Sequence, residues 1–149
     1  MIYWKYLDKK KATAEALKDY DTMLFIIENT ALDIKNVVDN ACAISAQVLS
    51  ELPSSSDVFS NETRIINSID ECDVLQMRYF KAIRFLKWFE PAWARLTSEE
   101  QYVLREFYCS CDMQQNAVNR ICSHFNIERS SAYNKKNRAL SKFATLLYG

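Results

Sequence analysis

Glycine and proline are nearly missing from this sequence. Glycine occurs once, as the last of 149 residues, and proline occurs only at Pro53 and Pro91. All-β folds and nucleotide-binding loops depend on glycines with positive φ, so this composition excludes both. Helices with few interruptions remain, and 49% apolar residues are enough to bury a core. The composition therefore predicts an all-α protein.

Groups that carry catalysis are equally scarce. The chain has one histidine and no glycine-rich loop. Its clustered carboxylates have simpler explanations, because Glu99 and Glu100 suit the start of a helix, and Asp70, Glu71 and Asp73 suit an exposed helix face. We therefore expect no enzymatic activity and no cofactor.

The cysteine count and the lack of long apolar runs bear on the compartment. Five cysteines form an odd number, and the first residues contain no apolar run of signal-peptide length. The longest charge-free segment, residues 40–50, is far shorter than the roughly 20 residues of a spanning helix. These features predict free thiols, a reducing intracellular compartment and no membrane partner.

Charge is unevenly distributed although its total is zero. Residues 120–149 hold six cations and one anion and carry net +5, while the preceding 119 residues carry net −5. The six cations are Arg120, Arg129, Lys135, Lys136, Arg138 and Lys142. Such a segment is either a solvated helix face or a surface for an anionic partner.

A long amphipathic helix is predicted over residues 12–50. Steps of three and four separate its apolar or small residues, which places them on one face. They are Leu17, Tyr20, Leu24, Ile27, Ala31, Ile34, Val38, Ala41, Ser45 and Val48. A stripe of this length predicts a coiled-coil-like partner and a homo-oligomer. Pro53 and a serine cluster then predict a loop over residues 51–61.

A second long helix follows the loop. Its stripe contains Ile65, Ile69, Cys72, Gln76, Tyr79, Ile83 and Leu86, and it is widened by Phe80, Phe85, Trp88 and Phe89. The widened aromatic end needs a further covering surface, either the C-terminal region or another copy of the chain. Pro91 is expected to end this helix, because the residue before a proline is disfavoured in α geometry. The two helices are expected to form an antiparallel hairpin over residues 1–92.

Three shorter helices are predicted in residues 93–149. Thr97 and Glu100 form a capping box at the start of the first helix. The residues predicted to face inward are Val103, Leu104, Phe107 and Tyr108 in the first helix, Ala117, Val118, Ile121, Cys122 and Phe125 in the second, and Ala132, Ala139, Leu140, Phe143, Leu146 and Leu147 in the third. "CSCDMQQN" reads as the first connection, and a tight turn after Asn126 makes the last two helices a helix-turn-helix.

The outward side of the last helix carries polar groups. Ser130, Tyr133, Asn134, Asn137 and Arg138 share one face by their spacing. Hydroxyls, amides and a cation at the start of a helix suit hydrogen bonding to base edges in a major groove. The cations that flank this face and could neutralise phosphates are Arg129, Lys136 and Lys142. Spacing and residue type alone leave a plain solvent-exposed helix equally open.

The sequence of this region also resembles a known family. "LTSEEQYVLREFY" and "NAVNRICSHFNIERSSAYNKKNRALSKFATLLYG" are similar to the helix-turn-helix of bacterial sigma-factor region 4. They resemble more closely the small phage and prophage transcriptional regulators of the ArpU and RinA type, most specifically in "IERSSAY", "RALSKF" and "LLYG". The resemblance implies a domain that binds promoter double-stranded DNA and activates phage genes in the cytoplasm of a bacterial host. RNA polymerase is a further candidate partner.

The resemblance also implies functional residues. Arg129, Ser130, Ser131, Tyr133 and Asn134 fall where region 4 touches bases and phosphates. Together with the outward face and the flanking Lys136, the predicted DNA-binding set is Arg129, Ser130, Ser131, Tyr133, Asn134, Lys136, Asn137 and Arg138.

Two positions depart from the family pattern. Lys135 stands where an apolar residue is usual, which predicts looser packing or a different rotation of this helix. Asn126 replaces the usual turn glycine, and asparagine is the next best residue for a left-handed conformation. Ile127 falls at the apolar turn position, and Ala132 and Ala139 fall at packed positions.

The sequence offers two alternatives to DNA binding. Cys109, Cys111, Cys122 and His124 number four, as a zinc site requires, but C-x-C and C-x-H are poor spacings. On one helix, Cys122 and His124 would point roughly 200° apart, so we expect no metal. The other alternative is a helical interaction protein that binds a host or phage protein through its hairpin, without DNA.

Overall fold

Every regular element in the described part of the chain is helical. The computed structural model describes residues 8–50, 55–110 and 114–149. The helices are α1 (Lys9–Ser50), α2 (Ser55–Trp93), α3 (Ser98–Leu104), α4 (Gln114–Phe125) and α5 (Arg129–Tyr148). A π-helical turn, Arg105–Cys109, continues α3. The prediction of an all-α protein with a long N-terminal hairpin and a C-terminal helix-turn-helix is confirmed. Pro53 and Cys111 lie outside the described residues.

Contacts within the chain divide it into two compact units. Of the described residues, the first contains 8–23 together with those between 85 and 149, and the second contains those between 24 and 84. This grouping differs from the predicted division after residue 92, because the N-terminal part of α1 and the C-terminal part of α2 pack with the shorter helices. We call the first the C-terminal unit and the second the hairpin unit.

An aromatic cluster forms the main core of the C-terminal unit. Its central residues are Phe89 and Phe143, which are 1% and 0% exposed and whose ring centroids lie 5.1 Å apart, edge to face. Tyr20 of α1 stacks on Phe89 at 4.8 Å, and Trp93 packs edge-on against Phe143 at 5.4 Å. The predicted need to cover the aromatic end of α2 is therefore met by α5 and the start of α1.

A second cluster lies inside the helix-turn-helix. Val103, Phe107, Val118, Ile121 and Ala132 are all buried in it. Most of the predicted inward-facing residues of these helices are confirmed as buried or half-buried. In α5 the prediction for Leu146 is wrong, because it is 41% exposed, and Ala144 is buried instead. Positions 143, 144 and 147 already complete the inward face of that last turn, and 146 lies beside it.

The hairpin unit has a thinner core, and the predicted stripes are partly wrong. Ala31, Val38 and Ser45 of α1 are exposed, as are Ile69 and Gln76 of α2. The less exposed positions of α1 in this unit are Leu24, Ile26, Ile27, Asn29, Thr30, Ile34, Val37, Ala41 and Ile44, and those of α2 are Asn61, Ile65, Ser68, Cys72, Leu75, Tyr79, Ala82 and Ile83. Where two apolar residues are adjacent, as at Val37 and Val38, the sequence does not show which one faces the other helix. In the structure Val37 is the less exposed of the two.

Two predicted boundaries of α2 are corrected. The loop expected over residues 51–61 is helical from Ser55 onward, because serine and aspartate are favoured near helix N-termini; residues 51–54 lie outside the described part. Pro91 does not end α2, which continues to Trp93. The proline lies in the last turn, where its missing N–H removes a single helical bond, and Ala94 N–H still donates to Glu90 O at 2.9 Å.

The first connection of the C-terminal unit is shorter than predicted. Cys109 belongs to the π-helical turn, and Gln114, Gln115 and Asn116 already belong to α4. None of the helices in the described residues is long and apolar enough to cross a membrane.

Candidate nucleic-acid interface

The turn between α4 and α5 fixes the direction in which α5 leaves. Asn126 has φ +53, a left-handed conformation that asparagine adopts more readily than other residues except glycine. Ile127 N–H donates to the carbonyl of Cys122 at 3.1 Å, which closes the end of α4 as in a Schellman motif. Glu128 is extended, with φ −76 and ψ 160, and α5 begins at Arg129. The predicted tight turn is confirmed.

Glutamates at the start of α3 form ion pairs with lysines of α5. Thr97 and Glu100 form the predicted capping box, in which Thr97 N–H donates to Glu100 Oε2 at 2.9 Å and Glu100 N–H donates to Thr97 Oγ1 at 3.3 Å. The same Glu100 accepts from Lys142 Nζ at 2.7 Å, and Glu99 accepts from Lys135 Nζ at 2.9 Å. Two ion pairs therefore connect α3 to α5.

These contacts explain why a lysine is accommodated at position 135. Besides its ion pair with Glu99, the Lys135 ammonium lies 4.3 Å from the ring centroid of Phe125. The aliphatic stem and charge are thus both used at the interface between helices. Lys135 therefore makes its contacts within the protein, with Glu99 and Phe125.

The contacts of Glu100 with Lys142 and Thr97 lower the pKa of its carboxyl. Partial burial raises the pKa of its carboxyl, but hydrogen bonds from the Lys142 ammonium and the Thr97 backbone outweigh burial, so the pKa lies below its ordinary value of 4.5. The carboxylate is therefore charged at neutral pH, as its pairing with Lys142 requires.

The outward face of α5 is open to solvent. Ser130, Asn134, Asn137 and Arg138 are exposed, and Tyr133 is 42% exposed. Arg129 and Ser131 beside them are also exposed. The centroid of the Tyr133 ring lies 5.8 Å from that of Phe107, so this ring packs against the helix-turn-helix cluster. The predicted face thus consists of accessible polar groups.

Paired and unpaired cations separate along the basic segment. Arg120 Nε donates to Glu106 Oε2 at 2.6 Å, and Lys135 and Lys142 pair with Glu99 and Glu100. By contrast, Arg129, Lys136 and Arg138 form no ion pair with any residue in the described ranges. The unneutralised positive charge is therefore concentrated in the N-terminal half of α5.

Two of the cations without an ion pair in the described ranges, Lys136 and Arg129, contact neutral groups. The Lys136 ammonium lies 5.1 Å from the Phe107 ring centroid, 5.7 Å from that of Tyr133 and 6.0 Å from that of Tyr108. Arg129 Nη2 donates to Asn119 Oδ1 of α4 at 3.1 Å. These contacts orient the cations without cancelling their charge, which leaves the charge available to an anion.

The sequence did not reveal these supporting residues. Glu99 and Lys135 are 36 positions apart, and Asn119 has no special spacing from Arg129. Only the local signals were readable, namely the capping box and the left-handed asparagine. Two of the three aromatic rings beside Lys136, those of Phe107 and Tyr108, belong to the π-helical turn, which no sequence pattern predicted.

Cys109, Cys122 and His124, the residues considered for zinc that the structure describes, each contact different groups. Cys122 packs in the helix-turn-helix cluster, whereas the His124 ring stacks on Tyr102 at 4.3 Å. Cys109 Sγ donates to the carbonyl of Leu17 at 3.5 Å, and burial raises the pKa of this thiol to about 11. Within the described residues no three His, Cys, Asp or Glu side chains cluster as a metal site.

Comparison with family models, with curated proteins and with solved structures finds no match to this chain. The resemblance to phage regulators therefore stays an interpretation of its sequence, and the geometry of the helix-turn-helix has to support any function on its own.

Proposed function

We propose that the chain is a sequence-specific regulator of phage or prophage transcription that binds double-stranded DNA through the N-terminal half of α5. The observation that carries the proposal is the separation of cations. Three cations of the basic segment pair with glutamates inside the unit, whereas Arg129, Lys136 and Arg138 surround an exposed polar face.

The proposed division of labour follows from the side-chain chemistry. Ser130, Asn134 and Asn137 carry donors and acceptors that can read base edges in the major groove. Arg129, Lys136 and Arg138 would neutralise phosphates and fix the register of α5 on the duplex. Ser131 and Tyr133 complete the predicted set at the edge of the same face.

A homo-oligomer belongs to the proposal, because one short recognition helix offers limited specific contact. Two copies would present two α5 helices to successive half-sites of a two-fold symmetric sequence. RNA polymerase is a candidate second partner, since promoter-bound regulators with this type of domain work beside it.

A mobility-shift titration against fragments of a phage genome tests the proposal. The native chain is expected to retard selected fragments and to lose affinity steeply as salt increases. The alternative function, a hairpin that binds another protein without DNA, predicts no retardation even at low salt, and that result would reject DNA binding.

Variants of matched charge sharpen the same titration. Arg129→Ala is expected to weaken binding by about tenfold, the effect of losing about 1.4 kcal/mol. Arg64→Ala removes an exposed arginine of the hairpin unit and is expected to leave affinity unchanged. Equal effects of the two substitutions would argue against α5 as the binding surface.

Single alanine substitutions can also distinguish a side chain that reads bases from one that contacts phosphates. Asn134→Ala is expected to relax sequence preference at one position of the site, whereas Lys136→Ala is expected to weaken all fragments uniformly. Affinities of each variant for single-base variants of one retarded fragment measure the difference.

A further inference from the structure

The hairpin unit leaves an apolar stripe of α2 uncovered. Ile66, Ile69, Met77 and Phe80 are each between 55% and 66% exposed. At 3.6 residues per turn these four side chains fall within an arc of about 80°. The less exposed positions of α2, centred on Cys72 and Leu75, lie roughly 120° away around the helix, so the stripe is distinct from the face that packs within the hairpin.

Charged side chains along this stripe are sorted by sign. Asp70 and Asp73 lie on its N-terminal half, whereas Lys81 and Arg84 lie on its C-terminal half. All four are exposed, and none forms an ion pair with another residue in the described part of the chain. Residues 70–84 of the stripe therefore present an acidic and a basic end around an apolar centre of Val74, Met77 and Phe80.

The arrangement is symmetric about Met77. Asp73 and Lys81 are each four positions from Met77, and Asp70 and Arg84 are each seven positions from it. All four stay within roughly 40° of the direction of Met77 around the helix. Val74, 67% exposed, and Phe80 are likewise three positions to either side. A surface with this pattern is complementary to itself when it is turned end to end.

We propose that this stripe is the interface of an antiparallel homodimer, in which α2 of one copy packs on α2 of the second about a two-fold axis at Met77. In this register Asp73 meets Lys81 of the partner subunit, and Asp70 meets Arg84 of the partner subunit. Phe80 covers the partner subunit's Val74. A parallel arrangement would place like charges together and is disfavoured.

The occupant is a second copy because residues 70–84 of α2 supply both halves of the match. An isologous interface requires that a residue and its counterpart exchange roles across the axis, and the acidic and basic positions do so here. The apolar centre and the unpaired charges then leave solvent together. This dimer does not depend on DNA binding, so it is tested without DNA.

Light scattering coupled to gel filtration measures the expected dimer. The native full-length chain should elute with twice its monomer mass of 17.4 kDa. Two variants reverse one end each: Asp70→Lys with Asp73→Lys makes the stripe wholly basic, and Lys81→Glu with Arg84→Glu makes it wholly acidic. Each variant alone should be monomeric at concentrations where the native chain is dimeric.

Mixing the two variants is the decisive step. Every basic position of one variant then meets an acidic position of the other, so an equimolar mixture should recover the dimer mass. Circular dichroism checks that each variant stays helical. Recovery of the dimer mass in the mixture reports on the interface even if one variant alone is less stable than the native chain.

Charge-matched controls exclude an effect of net charge. Asp33→Lys with Asp39→Lys, and Lys10→Glu with Lys11→Glu, change the net charge equally at other exposed positions of α1. Both controls should remain dimeric without mixing. A monomeric native chain, dimeric stripe variants or a mixture that stays monomeric would each overturn the proposal.

Discussion

The two compact units of this chain solve the problem of burial in different ways. In the C-terminal unit, α3, α4, α5 and the ends of the long helices enclose two apolar clusters. In the hairpin unit, Thr30 and Ala82 are the fully buried residues among those whose side chains the structure describes. Two helices alone cannot surround a core, so the hairpin leaves large apolar side chains such as Ile66, Val74 and Phe80 in solvent.

The contrast teaches where each function can lie. A self-contained core allows the C-terminal unit to present polar groups outward on a rigid support, as recognition of DNA requires. A thin hairpin with an exposed apolar stripe is suited to association. The two proposals made for this chain follow that division.

Truncation of the central core residue of each unit should give the largest difference. Phe143→Ala removes a ring that is 0% exposed and is expected to cost about 3–5 kcal/mol of unfolding free energy. Urea denaturation followed by tryptophan fluorescence reports this unit, because Trp88 and Trp93 both lie in or against the aromatic cluster.

The matched change in the hairpin unit is Leu75→Ala. Leu75 is only half-buried, so we expect a loss of about 1–2 kcal/mol, measured by hydrogen exchange of the α1 and α2 amides. A loss equal to that of Phe143→Ala would contradict the contrast between the two cores.

A smaller effect is expected at the turn that aims α5. Asn126→Ala places a side chain without local hydrogen bonding at φ +53 and should cost about 1–2 kcal/mol. Asn126→Gly should be neutral or slightly stabilising, since glycine adopts this conformation freely. Thermal unfolding of the two variants gives the comparison.

The hairpin control for that turn is Asn67→Ala, within α2. Asn67 is exposed and helical, and alanine is the better helix former by up to about 0.7 kcal/mol. The same asparagine-to-alanine change should therefore have opposite signs in the two units, and equal signs would show that Asn126 is not held in its turn.

The smallest predicted effect concerns pH. The pKa of Glu100 is lower in the folded chain than its ordinary value, so its contribution to stability is present above about pH 4.5 and is lost as pH falls through the folded pKa. Glu100→Gln should remove this part of the acid sensitivity, whereas Glu71→Gln on the exposed hairpin should not. Denaturation midpoints between pH 7 and pH 3 measure both.

The parts of the fold that could be predicted are those set by local chemistry. Scarcity of glycine and proline predicted the helices, Thr97 and Glu100 predicted a cap, and Asn126 predicted the turn. Each signal lies within a few residues of its effect. By contrast, the register of the hairpin depended on which of two adjacent apolar residues packs, as at Val37 and Val38, and only the second helix could decide that.

The sequence predicted which polar side chains share the exposed face of α5, but it did not predict which cations of this region are neutralised by ion pairs. Helical spacing placed Ser130, Asn134 and Asn137 together, and all three are exposed. Spacing could not reveal that Lys135 and Lys142 are neutralised by glutamates of α3 while Arg129 is not, because those partners are distant in sequence. The charge available to a ligand is a property of tertiary packing.

The salt dependence of DNA binding tests the role of α5 most directly. Affinity for a short duplex is measured by fluorescence anisotropy over a range of salt concentrations, for the native chain and two triple-alanine variants. One variant removes Arg129, Lys136 and Arg138. The control removes Lys35, Arg64 and Arg78, which are exposed cations of the hairpin unit.

If α5 contacts the phosphates, the first variant should lower the slope of log affinity against log salt by about 2.7, at about 0.9 for each lost contact. The control should leave the slope unchanged. Equal slopes for all three proteins, or an equal reduction in both variants, would contradict DNA recognition by the exposed face of α5.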